Sequence, residues 1–112
     1  MTRTLALTLA LAGLALSSSG ASAASKQDKK MMRLVAECAY VVSVAQGNGI
    51  KLRNSAATWE QATANAALQL KMDPVPYINE AKAKYKKRER VMGSGEAMRK
   101  LISRARDCDA QL

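Results

Sequence analysis

The sequence contains no histidine, the side chain used most often for acid–base catalysis and for binding transition metals. Ser-His-Asp and Cys-His nucleophilic sites are therefore excluded. The nearest pair of acidic residues, Asp107 and Asp109, lies two positions apart on a predicted helix, so the two carboxylates do not face each other. We find no glycine-rich phosphate loop in a strand context. These absences argue against an enzyme, and the sequence predicts neither a metal site nor a cofactor.

Aromatic side chains are also scarce, with no phenylalanine, one tryptophan and three tyrosines. A core must therefore be built from alanine, valine, leucine, isoleucine and methionine, which favours close packing of helices. Methionine can bind Cu(I) in exported proteins. The methionines that follow Met1 are spread over core-like helical positions, however, where packing is the expected use.

Cysteine occurs only twice, at Cys38 and Cys108, and each lies on the apolar stripe of a predicted helix. Two cysteines in an exported chain usually form a disulfide. A redox-active pair is disfavoured, because reactive cysteines usually lie close together in sequence near a helix N-terminus. We predict a structural bridge that closes a loop of about 70 residues and stabilises the fold by roughly 4 kcal/mol.

The N-terminal segment has the layout of a secretory signal. Arg3 precedes an apolar run of about a dozen residues, and small residues follow up to Ala23. The run is shorter than the roughly 20 residues that span a bilayer. We predict a cleaved signal peptide at residues 1–23 and a single small helical domain at residues 24–112. The domain is expected to be soluble after cleavage, and either periplasmic or secreted.

The first helix is predicted from Lys29 to Gln46, after a short tail, with Asp28 as the candidate N-cap. The glycines around Asn48 predict its end. Glu37 falls off the apolar stripe, whose members are Met31, Val35, Cys38, Val42 and Ala45.

The second helix has two possible starts: Asn54 or Ser55, or a capping box formed by Thr58 and Gln61. Apolar residues lie on two opposite faces of it, one carrying Trp59 and the other Leu68. A helix that is apolar on two faces usually lies between neighbours. This pattern predicts that the second helix is the central one.

Asp73 as a cap and Pro74 as the first helical residue predict the third helix. Two glycines around Ser94 interrupt the pattern, and Ser94 can cap a fourth helix from Glu96 to about Asp109. The alternative is one long helix from Pro74 to Asp109 with a kink at the glycines. The predicted fold is an all-α compact bundle of three or four short helices, with the first and last joined by the disulfide.

Positive charge dominates the chain, with 18 lysines and arginines against 9 aspartates and glutamates. Without Arg3 the balance of residues 24–112 is 17 − 9 = +8. The densest run, KAKYKKRER, lies in the third helix, and we choose five candidate residues for binding an anionic partner: Lys82, Lys86, Lys87, Arg88 and Arg90. The alternative is a solvated helix face, because small domains carry such charge for solubility.

Two functional hypotheses fit these features. The first is an exported protein-interaction module, an accessory or inhibitor of an envelope or secreted protein, which binds an acidic protein partner. The alternative is a binder of anionic polymers or membrane surfaces, such as nucleic acid, lipopolysaccharide or acidic lipid. In that case further cations of the fourth helix would contribute, namely Arg99, Lys100, Arg104 and Arg106.

Overall fold

The computed structural model describes residues 25–112, which form four α-helices with no strand among them. The helices are α1 (Lys26–Gly47), α2 (Ala56–Leu70), α3 (Val75–Met92) and α4 (Ser94–Asp109). The predicted all-α bundle is confirmed, with four helices rather than three. The predicted signal peptide at residues 1–23 lies outside the described residues and stays a prediction.

Helix α1 begins three residues earlier than predicted. Ser25 is its N-cap, and the Ser25 hydroxyl accepts the backbone N–H of Asp28 at 3.0 Å. Asp28 therefore lies in the first turn, where its negative charge interacts favourably with the helix dipole. At the other end Asn48 is the C-cap and Gly49 has φ +85°, a conformation that glycine adopts without strain. The predicted end of the helix is confirmed.

Helix α2 begins after Ser55, whose hydroxyl accepts the backbone N–H of Thr58 at 3.3 Å. Of the two predicted starts, the earlier one is therefore correct. The predicted cap of α3 at Asp73 is wrong, because Pro74 is the N-cap and makes no side-chain cap bond; the carboxylate of Asp73 accepts the N–H of Val75 at 3.0 Å. Pro74 precedes α3 instead of being its first residue.

A turn at Gly93 separates α3 from α4. Gly93 has φ +91° and ψ 155°, and α4 begins at Ser94 without a side-chain cap. The two helices pack against each other on either side of this turn. The alternative of one long kinked helix is therefore wrong, and Ser94 is the first residue of α4 instead of its cap.

Contacts between the helices define an up-down-up-down arrangement. The ion pairs of α1 with α3 keep a constant sequence offset, 33 with 80 and 37 with 84, so these helices run in the same direction. Helix α2 runs antiparallel to α1, because Ala56 at its start bonds Gln46 near the end of α1. The tight turn at Gly93 reverses the chain again into α4.

The central helix is α1, which contacts α2, α3 and α4, whereas α2 packs only against α1 among the described helices. The prediction that α2 is central is wrong: Leu68 is 78% exposed, and only Trp59 and Thr63 of α2 are buried. On its second apolar face, Ala64 is exposed as well. Met31 is also misplaced by the predicted stripe, since it is 48% exposed and Met32 is fully buried.

The disulfide joins α1 to α4 through the centre of the core. The Cα atoms of Cys38 and Cys108 are 5.7 Å apart, and both side chains are completely buried. Around them pack residues from all four helices, including Val42, Trp59, Tyr85, Leu101 and Ala105. The predicted pairing is confirmed, and it fixes the first helix against the last.

Candidate functional site

The five candidate residues of α3 form no ion pair with an acidic side chain among residues 25–112. Four of them are exposed and Arg88 is half-buried. We call this set the α3 cations: Lys82, Lys86, Lys87, Arg88 and Arg90. Buried Ala81 and Tyr85 anchor α3, and Arg88 lies beside Tyr85, whereas the other four cations are exposed. The α3 cations are therefore free charges on a fixed helix.

Lys84 lies among the α3 cations in sequence but has a different role. Its Nζ atom is 2.9 Å from Oε2 of Glu37 on α1. Arg104 on α4 reaches the other oxygen of the same carboxylate, with its Nη2 at 3.2 Å and its Nε at 3.3 Å. These two cations are neutralised inside the protein, so they contribute less to the outer field than the sequence suggests.

The burial of Glu37 was also missed by sequence reasoning. Glu37 is only 9% exposed, although it falls off the stripe predicted for α1. Because α3 and α4 cover α1 on that side, the carboxylate lies beneath both helices. The hydroxyl of Tyr85 donates to Glu37 Oε2 at 3.0 Å. Glu37 is one of only two acidic residues in α1, which was the available signal, but this did not identify its partners.

The surroundings of Glu37 shift two pKa values in opposite directions. Burial alone would raise the pKa of Glu37, but hydrogen bonds from Lys84 and Tyr85 and the charges of Lys84 and Arg104 lower it overall. Burial, followed by the charge and hydrogen bond of Glu37, raises the pKa of Tyr85 to about 12. At neutral pH this contact consists of an ionised carboxylate and a protonated phenol.

Above Glu37 an open depression of about 390 Å³ lies between α3 and α4. We call it the α3–α4 groove, and its lining residues are Glu37, Lys84, Tyr85, Arg88, Lys100, Ser103, Arg104 and Asp107. The guanidinium of Arg88 lies 4.9 Å from the centre of the Tyr85 ring. Of the four cations here, Lys84 and Arg104 pair with Glu37, whereas Arg88 and Lys100 have no carboxylate partner among the described residues.

A second polar cluster, at the C-terminal end of α4, is structural. The carboxylate of Asp109 accepts the backbone N–H groups of Arg53 and Asn54, each at 2.8 Å. These hydrogen bonds lower the pKa of Asp109, and the bond from Arg53 has the largest effect. Partial desolvation opposes them. They attach the connector between α1 and α2 to the end of α4. All donors belong to the chain itself, so nothing in this cluster points to a ligand.

The described part of the chain shows no group of three or more histidine, cysteine, aspartate or glutamate residues arranged to hold a metal ion. Within it, no helix has both the length and the apolar character needed to cross a membrane. The disulfide indicates a non-reducing environment outside the cytoplasm. Comparisons with protein-family models, curated proteins and solved structures give no match.

Proposed function

We propose that this protein is a small exported interaction module, an accessory or inhibitor, which binds an acidic protein partner through the α3 cations. One observation carries the proposal: these five residues have no ion-pair partner among residues 25–112, whereas the neighbouring Lys84 is neutralised by Glu37. Internal pairing therefore leaves a compact group of free positive charges on one helix.

The spacing of these charges supports the same conclusion. Lys82, Lys86 and Arg90 are four residues apart, so their side chains are neighbours on the helix surface. Like charges at this spacing destabilise a helix by about 0.2–0.5 kcal/mol per pair. The buried anchor Tyr85 and the disulfide-linked neighbours of α3 hold the helix despite this repulsion. An acidic partner would relieve it and gain electrostatic attraction during association.

Rigidity also favours binding by this surface. Helix α3 packs against both α1 and α4, which are joined by the disulfide between Cys38 and Cys108. A surface that is already ordered loses less conformational entropy when a partner binds. The periplasm or the extracellular space, the locations that we propose, would also maintain this bridge in its oxidised form. Mass spectrometry of the exported protein tests the location through its N-terminus, which we expect at Ala24.

The test is an affinity capture from the protein's own compartment with the oxidised chain as bait. In the test variant all five α3 cations are changed to glutamate. In the matched control five exposed lysines without an ion pair in the described structure receive the same change: Lys26, Lys29, Lys30, Lys51 and Lys71. Each variant changes the net charge by ten units, so only the position of the charges differs.

We expect a stoichiometric protein partner to bind the unmodified chain and the control, and to be lost from the variant of the α3 cations. If the variant of the α3 cations retained the partner, the site would be wrong. If both variants lost it equally, the interaction would depend on net charge alone, and a specific site would be refuted.

A second candidate function, binding to anionic membrane surfaces, is favoured by one exposed apolar residue. Val91 is 75% exposed and shares a shallow depression with Lys84, Lys87, Arg88 and Met92. Apolar side chains next to lysines and arginines are typical of surfaces that bind lipid headgroups. Co-sedimentation with vesicles of phosphatidylglycerol, compared with phosphatidylcholine, tests this candidate. Binding that is lost in the Val91→Ser variant and at high salt would favour it over the protein partner.

A further inference from the structure

We propose that the α3–α4 groove binds one carboxylate side chain of the acidic partner, held between Arg88 and Lys100, with the Ser103 hydroxyl as a further donor. This inference rests on the proposed function, because it assigns the position at which the same partner is anchored. It adds Lys100 and Ser103 of α4 to the protein-binding site, which the first of the two sequence-based hypotheses placed on α3 alone.

Arg88 differs from the other α3 cations because its side chain is positioned. Its guanidinium lies 4.9 Å from the centre of the Tyr85 ring, a distance typical of a cation–π contact. The ring is itself fixed, since Tyr85 is buried and its hydroxyl donates to Glu37 at 3.0 Å. A guanidinium held in this way presents its N–H donors in the planar arrangement that binds a carboxylate through two hydrogen bonds.

Glu37, at the floor of the groove, does not compete with an incoming carboxylate for Arg88. The carboxylate of Glu37 already accepts hydrogen bonds from Lys84, Tyr85 and Arg104. Since its negative charge is offset by two close cations, it neither binds Arg88 nor strongly repels an incoming anion. The groove therefore contains two neutralised cations at its base and two free cations, Arg88 and Lys100, along its walls.

The charge of the groove suits a single carboxylate. Its lining contains four cations, Lys84, Arg88, Lys100 and Arg104, and two anions, Glu37 and Asp107, which gives 4 − 2 = +2. Asp107 is exposed and has no ion pair among the described residues, so it lowers the net charge of the groove. One acidic side chain therefore meets a net attraction. The groove is also open to solvent, which allows a side chain on another protein to enter.

The experiment uses the oxidised protein recovered after export and an acetylated, amidated tetraglutamate peptide, with tetraglutamine as the uncharged control. Titration is followed by ¹H–¹⁵N NMR, including the side-chain Nε–H of Arg88. We expect tetraglutamate to shift the Arg88 Nε–H and the backbone N–H of Ser103, with tetraglutamine shifting neither. Inorganic phosphate is titrated separately and should bind less tightly than the peptide.

The double substitution R88Q/K100Q should weaken peptide binding about tenfold, because it removes two charge-assisted contacts. The matched double substitution K26Q/K29Q removes the same charge more than roughly 10 Å away along α1, and should weaken binding less than about twofold. None of these four side chains forms an ion pair in the described structure, so the NMR spectra should retain the native pattern.

The possible outcomes separate this inference from the proposed function. Shifts confined to the residues around Lys82, Lys86 and Arg90 would overturn the groove but leave an acidic partner on α3. The absence of any shift would overturn both. Phosphate that bound in the groove as tightly as tetraglutamate would show a general oxyanion site and would overturn the assignment to a carboxylate.

Discussion

The disulfide makes a quantitative prediction about stability, because it joins α1 to α4 and encloses all of α2 and α3. Its cysteines are separated by 70 positions in the sequence. For a closed loop of this length the chain-entropy relation predicts that the unfolded chain loses about 15 cal/mol/K of conformational entropy. This loss stabilises the folded state by about 4 kcal/mol at 25 °C. A small domain is stable by only about 5–15 kcal/mol in total, so the bridge supplies a large part of this stability.

The perturbation is reduction of the bridge, with the double substitution C38A/C108A as a second route to the same state. Reduction keeps both sulfur atoms in the core, whereas the substitution also removes their packing. We expect the free energy of unfolding to fall by about 4 kcal/mol on reduction and by somewhat more in the double variant. For a domain of this size the melting temperature should fall by about 20 °C or more.

The assay is urea unfolding followed by circular dichroism, under oxidising and reducing conditions. The variant should be insensitive to the reductant, which is the internal control. If reduction lowered the free energy of unfolding by less than about 1 kcal/mol, the entropic explanation would be refuted. It would mean that the reduced, unfolded chain already holds α1 near α4, or that the bridge strains the folded state.

Three further predictions concern individual side chains. Met32 is fully buried and Met31 is half exposed, so Met32→Ala should lower the free energy of unfolding by about 2–5 kcal/mol and Met31→Ala by less than about 1 kcal/mol. Urea unfolding measures both values, and equal losses would contradict the assigned orientation of α1. Because the pKa of Glu37 is lower in the folded protein, its contribution to stability is present above the ordinary carboxyl pKa, near about 4.3, and is lost as the pH falls through the lowered value. Glu37→Gln should therefore reduce the loss of stability between about pH 5 and 2 in acid titrations, and an unchanged acid profile would contradict this coupling. Asp109→Ala should speed hydrogen exchange at the two connector N–H groups that its carboxylate accepts, while exchange in the middle of α1 stays slow; unchanged connector exchange would contradict the role of Asp109.

Much of the fold could be predicted from local signals. The end of α1 at Asn48 and the start of α2 at Ser55 depend on hydrogen bonds that span only three or four residues. The start of α1 was missed because Ser25 and Asp28 are both good caps, and the sequence does not show which hydroxyl or carboxylate takes the role. The disulfide followed from the presence of only two cysteines, both on apolar stripes.

The positions of the helices could not be predicted in the same way. The alanines of α2 make both of its faces look apolar, yet Leu68 is exposed and α1 is the central helix. Alanine tolerates either environment, so its pattern does not decide which face is covered. Glu37 was missed for a related reason, because a third and a fourth helix cover a side of α1 that a single amphipathic stripe leaves polar.

The sequence by itself determined that the chain is helical, that its two cysteines can form one bridge, and that its densest positive charge lies on the third helix. Only the tertiary structure decided which of these charges are free. Lys84 and Lys86 have the same side chain two positions apart, but Lys84 contacts Glu37 and Lys86 has no ion pair in the described structure. Periodicity is a property of one helix, whereas neutralisation of a charge depends on what the neighbouring helices place beside it.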